Sequence, residues 1–210
     1  MTWQDLHHSE LTVPQLYALL KLRSEVFVVE QQCAYQDVDG DDLVGENRHL
    51  LGWRDGELVA YARILKSEEE FAPVVIGRVI VSPAARGAKL GYQLMEQALA
   101  SCQQHWPQKA IYLGAQAHLQ SFYAHFGFTP VTEVYDEDGI PHIGMARESR
   151  AGYSHPNLVP ARRAGKIKPA PSSWVLLFRR RTPYNVGFYY RGGLRAVCFH
   201  CAGPFARRPG

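Results

Sequence analysis

Apolar positions along residues 1–147 fall into alternating helical and strand periods. Leu16, Leu19, Leu20, Arg23, Val26 and Phe27 recur three and four residues apart behind Pro14, which suits a first helical turn. The pattern predicts an amphipathic helix over residues 12–29. Residues 31–47 break the period. They are rich in Asp and Gly, contain Asp37-Val38-Asp39-Gly40-Asp41-Asp42, and predict a loop long enough to be functional. Residues 49–53 and 58–65 are apolar runs flanking Arg54-Asp55-Gly56-Glu57, and an Asp-Gly pair in that setting predicts a hairpin. Residues 74–81 are too short and too β-branched for a helix and predict a central strand. Ser82-Pro83 ends that strand, and a Gly-punctuated loop leads into a helix over 92–106, whose face carries Leu94, Met95, Ala98, Leu99 and Cys102. A strand over 109–115, a short helix over 119–126 and a strand pair over 130–135 and 142–147, turning at Asp136-Glu137-Asp138-Gly139, complete the series. The fold class is α/β (α+β), a mixed central sheet flanked by helices.

Charge divides the chain more sharply than periodicity does. Residues 1–148 hold all 20 acidic side chains and 11 of the 23 Lys and Arg, whereas residues 149–210 hold the other 12 and no acid. A folded domain over 1–148 with a basic extension over 149–210 is therefore expected. The extension has Arg clusters (Arg162-Arg163, Arg179-Arg180-Arg181) and one short apolar patch, Trp174 to Phe178. So little apolar surface cannot offset roughly 1 to 2 kcal/mol of backbone ordering per residue, which predicts disorder. Its charge admits only non-specific nucleic-acid binding, and fits equally an altered or read-through end appended to a complete domain.

No run approaches the roughly 18 apolar residues of a membrane helix, and the N-terminus lacks a signal pattern, so no membrane partner is expected. Cys33 and Cys102 stand alone, which suits a reducing cytoplasm. Cys198-Phe199-His200-Cys201 lacks a second ligand pair, so no metal is expected. The Asp37 to Asp42 run is not a calcium loop: its glycine is at position four rather than six, and Arg48 stands where the closing Glu belongs. It reads as a solvated acidic loop, serving either to attract a cationic acceptor or simply for solubility. Arg23 reads as a surface or a structural ion-pair residue. A homodimer stays open.

The most informative segment follows the 74–81 strand. Gly87 and Gly91 remove side chains just where a helix N-terminus begins, an arrangement suited to binding an anion. Next come a strand and Phe122-Tyr123-Ala124-His125-Phe126-Gly127-Phe128. With Arg86-Gly87-Ala88-Lys89-Leu90-Gly91 in the position of an Arg/Gln-x-x-Gly-x-Gly/Ala loop, the chain resembles the GNAT superfamily of N-acetyltransferases. It resembles the ElaA group within it most closely, through Arg23 to Gln31, Gly77-Arg78-Val79, Tyr112 to Gln116 and Asp138 to His142.

The resemblance implies a splayed sheet that holds acyl-coenzyme A between two strands, and acetyl-CoA as donor to an unidentified primary amine. It places Val79, Ile80 and Val81 along the pantetheine arm and the amides of Arg86, Gly87, Ala88, Lys89, Leu90 and Gly91 at the pyrophosphate. Lys89 departs from the family's usual glycine and is expected to keep an ordinary right-handed backbone. Tyr123 matches the family's acid for the leaving thiolate. Glu30, His49 and His142 flank the acceptor side as candidate bases, with ordered water an equal alternative and a satisfied structural histidine the plainer reading of His49 and of His142. Two other functions fit the same residues: a non-catalytic acyl-CoA sensor and an acyl-homoserine-lactone-synthase-like enzyme.

Overall fold

The computed structural model describes residues 1–149. The extension, with its expected disorder, its Arg clusters and the Cys198–Cys201 segment, lies outside the described residues, Ser149 alone excepted.

The first helix, α1 (Val13–Arg23), opens on a capping box in which Thr12 accepts from the Gln15 amide and the Gln15 side chain returns to the Thr12 N–H. Its last turns widen into a π-helix, Ser24–Glu30, closed by a Gln31 N–H bond to Val26 O five residues back. The apolar period therefore runs on as predicted, but in two helical forms.

Seven strands form one sheet in the order β1-β2-β3-β4-β5-β7-β6. β2 (Arg48–Arg54) and β3 (Glu57–Lys66) make the predicted hairpin, with Asp55 and Gly56 both at positive φ as a type I′ turn requires. β6 (Thr129–Glu137) and β7 (Ile140–Arg147) turn the same way at Asp138 and Gly139. β1 (Thr2–His7), which the apolar pattern did not predict, pairs antiparallel with β2 along its whole length. β4 (Val74–Val81) leads through a short 3₁₀ turn, Pro83–Ala85, into α2 (Leu90–His105), and β5 (Ile111–Gln116) leads into α3 (Gln120–Ala124).

Helices cover both faces of the sheet, α2 and α3 on one and α1 on the other. Leu50, Ala62, Ile64, Leu94, Met95 and Leu113 pack on the α2 side, whereas Leu19, Leu22, Val26, Leu51, Tyr61 and Ile80 pack on the α1 side. Neighbours such as Leu50 and Leu51 thus serve opposite cores, the strand period of two made visible. Burying each such Leu or Ile contributes about 1.5 to 3 kcal/mol.

The sheet forks in its middle. β4 and β5 run parallel but pair only at Val74 with Ile111 and Val75 with Tyr112, after which they separate. β5 turns instead to β7, which it follows from Ile111 to Gln116. A slot opens between the C-terminal halves of β4 and β5.

Candidate active site

Four features meet at this slot: a bulge in β4, the loop into α2, the aromatic helix α3 and the loop over residues 31–47.

The bulge decides which backbone groups line the slot. In a strand the N–H and C=O of one residue point to one side, and the side alternates along the chain. The Val74 N–H donates to Ala110 O at 2.9 Å, on the β5 side, whereas the Ser82 N–H donates to Val59 O at 2.8 Å, on the β3 side. Both positions are even-numbered, so unbroken alternation would send them the same way. The register explains the switch: Tyr61 faces Ile80 and Arg63 faces Gly77, leaving Arg78 and Val79 together opposite Ala62. Arg78 lies at φ 48, the left-handed conformation that a bulge ordinarily gives to glycine. The inserted residue turns Val79 and Val81 away from β3 and toward the slot. Val81 O accepts from Arg86 Nε at 3.3 Å, as that direction requires.

The loop into α2 shapes the slot's mouth. Gly87 sits at φ 94 and Lys89, the N-cap of α2, at φ 55 and ψ 21. The expected right-handed backbone at Lys89 is therefore corrected: the turn is the one glycine would make, and the lysine is held in it. Among the described residues the N–H groups of Gly87, Ala88, Lys89, Leu90 and Gly91 find no acceptor. Five consecutive unpartnered donors at the positive end of a helix form a cradle for a polyanion. Gly91 is less constrained than its neighbours, since a Cβ there would make only ordinary contacts with Phe122 and Val81. Arg86 turns its guanidinium away to Glu30, at 2.7 and 2.9 Å, in a half-exposed bidentate pair. The hydrogen bonds and charge of Arg86 lower the Glu30 pKa, which makes Glu30 a weak base at neutral pH.

Tyr123 is 6% exposed, edge-on to Phe122 and to Phe128. Burial pushes its hydroxyl up to about 12, and no hydrogen bond to it is formed among the described residues. It is a neutral donor awaiting an acceptor.

On the sheet face opposite α2, beyond the end of α1, lie Tyr112, Tyr135 and His142. Gly144 lets Tyr112 cross β7, because a Cβ there would come within 2.6 Å of the Tyr112 hydroxyl and 2.8 Å of Thr132 Cγ2. His142 stacks on Tyr135 with ring centroids 6.1 Å apart, and its Nδ1 donates to Ile140 O at 2.8 Å. That bond fixes the tautomer and leaves the Nε2 lone pair as the basic position.

Three carboxylates of the acidic loop, Asp37, Asp39 and Asp42, are ion-paired rather than solvated, which corrects the sequence expectation. Arg23, fully buried, bonds Asp37 through Nε at 2.7 Å, the Asp37 carbonyl at 2.7 Å and Asp42 through its other nitrogen. Arg63 bonds both Asp39 oxygens, at 2.8 and 2.6 Å, and Asp42 at 2.8 Å. Arg78 reaches Asp37 and Asp39. Arg23 is therefore a structural ion-pair residue. His49, also fully buried, is locked between the Tyr61 hydroxyl at 2.8 Å and Asp42 O at 2.7 Å, and burial lowers its pKa. Both ring nitrogens are engaged, so His49 is the satisfied structural histidine.

The slot thus gathers Val79, Val81, Arg86 to Gly91 and Tyr123, with His142 on the sheet face opposite α2 and Glu30 drawn to Arg86; Ile80 faces the α1 core instead. Arg78 and Tyr112 were marked in sequence only by family likeness, with no role, and Tyr135 was not singled out. The available signal for Arg78 was a charged residue inside an apolar strand, Ile76-Gly77-Arg78-Val79.

A forked mixed sheet with an anion cradle at the mouth of the fork defines an acyl-CoA-dependent acyltransferase, and the chain belongs to the acetyltransferase (GNAT) domain family, whose pattern matches residues 11–149. Within it the chain is similar to the protein ElaA of Escherichia coli (strain K12), 73% identical over 146 residues that span 70% of this chain and 95% of the relative. The crystal structure of Escherichia coli ElaA superposes with a TM-score of 0.68 at 72% identity, covering 70% of this chain and 99% of that one. An acyl-CoA N-acyltransferase from Pseudomonas aeruginosa also gives 0.68, at 58% identity over 70% and 98% of the two chains. An aminoglycoside 6′-N-acetyltransferase solved with coenzyme A shares the fold at 15% identity and a TM-score of 0.56, covering 70% and 97%. Among the described residues no helix is long and apolar enough to cross a membrane, and no cluster of His, Cys, Asp or Glu is arranged to hold a metal.

Proposed function

We propose that residues 1–148 form a catalytic domain that moves an acetyl group from acetyl-CoA to a primary amine by direct attack, in the cytoplasm, where Cys33 and Cys102 would stay free thiols. The observation that carries this reading is the run of unpartnered amides from Gly87 to Gly91 at the N-terminus of α2. It suits the pyrophosphate of coenzyme A, and it lies at the mouth of a slot edged by outward-facing backbone groups of Val79 and Val81 that suit the pantetheine amides.

In this reading the thioester lies near Tyr123 and the amine enters from the face carrying Tyr112, Tyr135 and His142. The amine nitrogen forms a bond to the acyl carbon as the C–S bond breaks. His142 Nε2, directly or through one water, takes the proton from nitrogen. Tyr123 donates a hydrogen bond to the departing thiolate. Glu30 serves as the anchor of Arg86 rather than as base, because its charge is already neutralised there.

The test is a panel of acceptors, comprising a polyamine, free amino acids, and peptides with a free N-terminus or a lysine, each incubated with acetyl-CoA while free thiol is followed. Amine-dependent thiol release is expected. Coenzyme A binding with no thiol release from any acceptor would refute the catalytic reading.

A further inference from the structure

We propose that Arg78 is a positioning residue for the acyl donor: clamped by the acidic loop, it fixes the β4 bulge that turns Val79 and Val81 into the slot. This rests on the reading that the donor lies between β4 and β5.

An arginine has no intrinsic preference for φ 48, and a β-carbon opposes it there. The surroundings must impose it. Arg78 Nε lies 2.7 Å from Asp37 Oδ1, an ion-pair contact, while its terminal nitrogen reaches the Asp37 carbonyl at 3.2 Å and Asp39 Oδ2 at 3.4 Å. The guanidinium also faces the rings of Phe27, at 5.8 Å, and Tyr35, at 5.6 Å. Tyr35 in turn donates to Asp37 Oδ1 at 2.9 Å.

The clamp is itself held. Arg23 from α1 fixes Asp37, and Arg63 from β3 fixes Asp39. The loop also reaches the other arm of the fork, where Cys33 Sγ lies 3.8 Å from Asp138 O in the β6–β7 turn. One segment therefore touches the bulge of the donor slot and the hairpin that carries His142. The loop read from sequence as solvated, either to attract a cationic acceptor or simply for solubility, is in this proposal a strap between donor and acceptor sides.

Binding of two probes separates this role from general support of the fold. ADP reports the phosphate cradle alone, and coenzyme A reports the cradle plus the pantetheine arm. In folded Arg78→Ala, coenzyme A should bind about tenfold more weakly, with ADP affinity within about twofold of wild type. Arg78→Lys, which keeps the charge, should recover part of the loss. Tyr35→Phe, a milder change that deletes only the hydroxyl contact to Asp37, should weaken coenzyme A in the same direction if the Arg78 variants do not fold. Unchanged coenzyme A affinity in these variants overturns the proposal, as does parallel loss of ADP and coenzyme A. Failure of the wild-type chain to bind coenzyme A overturns the slot reading along with it.

Discussion

Tyr123→Phe separates chemistry from packing. The ring is 6% exposed and edge-on to Phe122 and Phe128, contacts that phenylalanine keeps. The hydroxyl makes no hydrogen bond among the described residues, so its removal leaves no orphaned partner and should change the unfolding free energy by less than about 1 kcal/mol. The effect on turnover is set by the hydroxyl's pKa, pushed up to about 12. A thiol titrates near 8.5, so complete proton transfer from Tyr123 to a free thiolate is uphill by roughly 5 kcal/mol. In the proposed mechanism Tyr123 is therefore a hydrogen-bond donor to charge developing on sulfur, and losing one such donor costs about 10² to 10³ in kcat. Thiol release under saturating acetyl-CoA measures kcat, calorimetry with coenzyme A measures binding, and thermal unfolding measures stability. The expected triad is a large fall in kcat, unchanged coenzyme A affinity and an unchanged melting temperature. Turnover within about threefold of wild type, well short of the loss expected for a missing donor, would remove Tyr123 from the mechanism. Because the hydroxyl stays protonated far above neutrality, an alkaline limb in the wild-type kcat profile below about pH 11 must belong to another group.

Three further outcomes follow from the charges and the backbone. Arg23→Met leaves Asp37 ion-paired with Arg78 alone and Asp42 with Arg63 alone, and should lower the unfolding free energy by up to about 3 to 5 kcal/mol, read from the urea midpoint; a loss below about 1 kcal/mol would mean the network is not buried in solution. Lys89→Gly relieves a left-handed backbone worth about 1 to 2 kcal/mol against about 0.5 to 1 kcal/mol of added chain entropy, so it should stabilise slightly while Lys89→Ala does not. A destabilised Lys89→Gly would contradict the loop geometry. Arg63 holds the Asp39 carboxylate down to about 2 although burial opposes this. A depressed folded pKa contributes stability that is complete above about pH 4 and is lost as pH falls through about 2, an effect of roughly 2 kcal/mol. Asp39→Asn should flatten that part of the acid-stability curve.

The elements that sequence revealed are those whose signals are local. Type I′ turns at Asp55-Gly56 and Asp138-Gly139 need positive φ at adjacent residues, and Asp-Gly says so directly. The π-helical end of the first helix leaves the apolar spacing almost unchanged, so Val26 and Phe27 read the same in either form. β1 was invisible because none of its residues is fully buried, which erases the alternation that marks a strand. The acidic loop misled for a different reason. Four aspartates in six residues look solvated, and the partners of three of them, Arg23, Arg63 and Arg78, come from a helix and two strands whose convergence is tertiary. His142 and Tyr123 were legible as candidates through family likeness. Their tautomer and protonation depend on Ile140 O and on burial, which no spacing encodes.

Backbone strain in the described residues has a distribution that bears on function. Five residues other than glycine lie at positive φ: Gln32, Asp55, Arg78, Lys89 and Asp138. Asp55 and Asp138 sit in hairpin turns, where aspartate tolerates that conformation. The other three carry long side chains with no such tolerance and stand at the start of the acidic loop, in the β4 bulge and at the cap of α2. These are the places where the chain meets the slot. Relaxing Arg78 would restore unbroken alternation and turn Val79 and Val81 toward β3, and relaxing Lys89 would rotate the amide cradle away from the mouth. Of the three, Arg78 is held by residues distant in sequence, Asp37 and Asp39. The buried ion pairs are therefore better understood as fixing backbone conformation at the slot than as a store of net stability, since desolvation offsets much of their attraction.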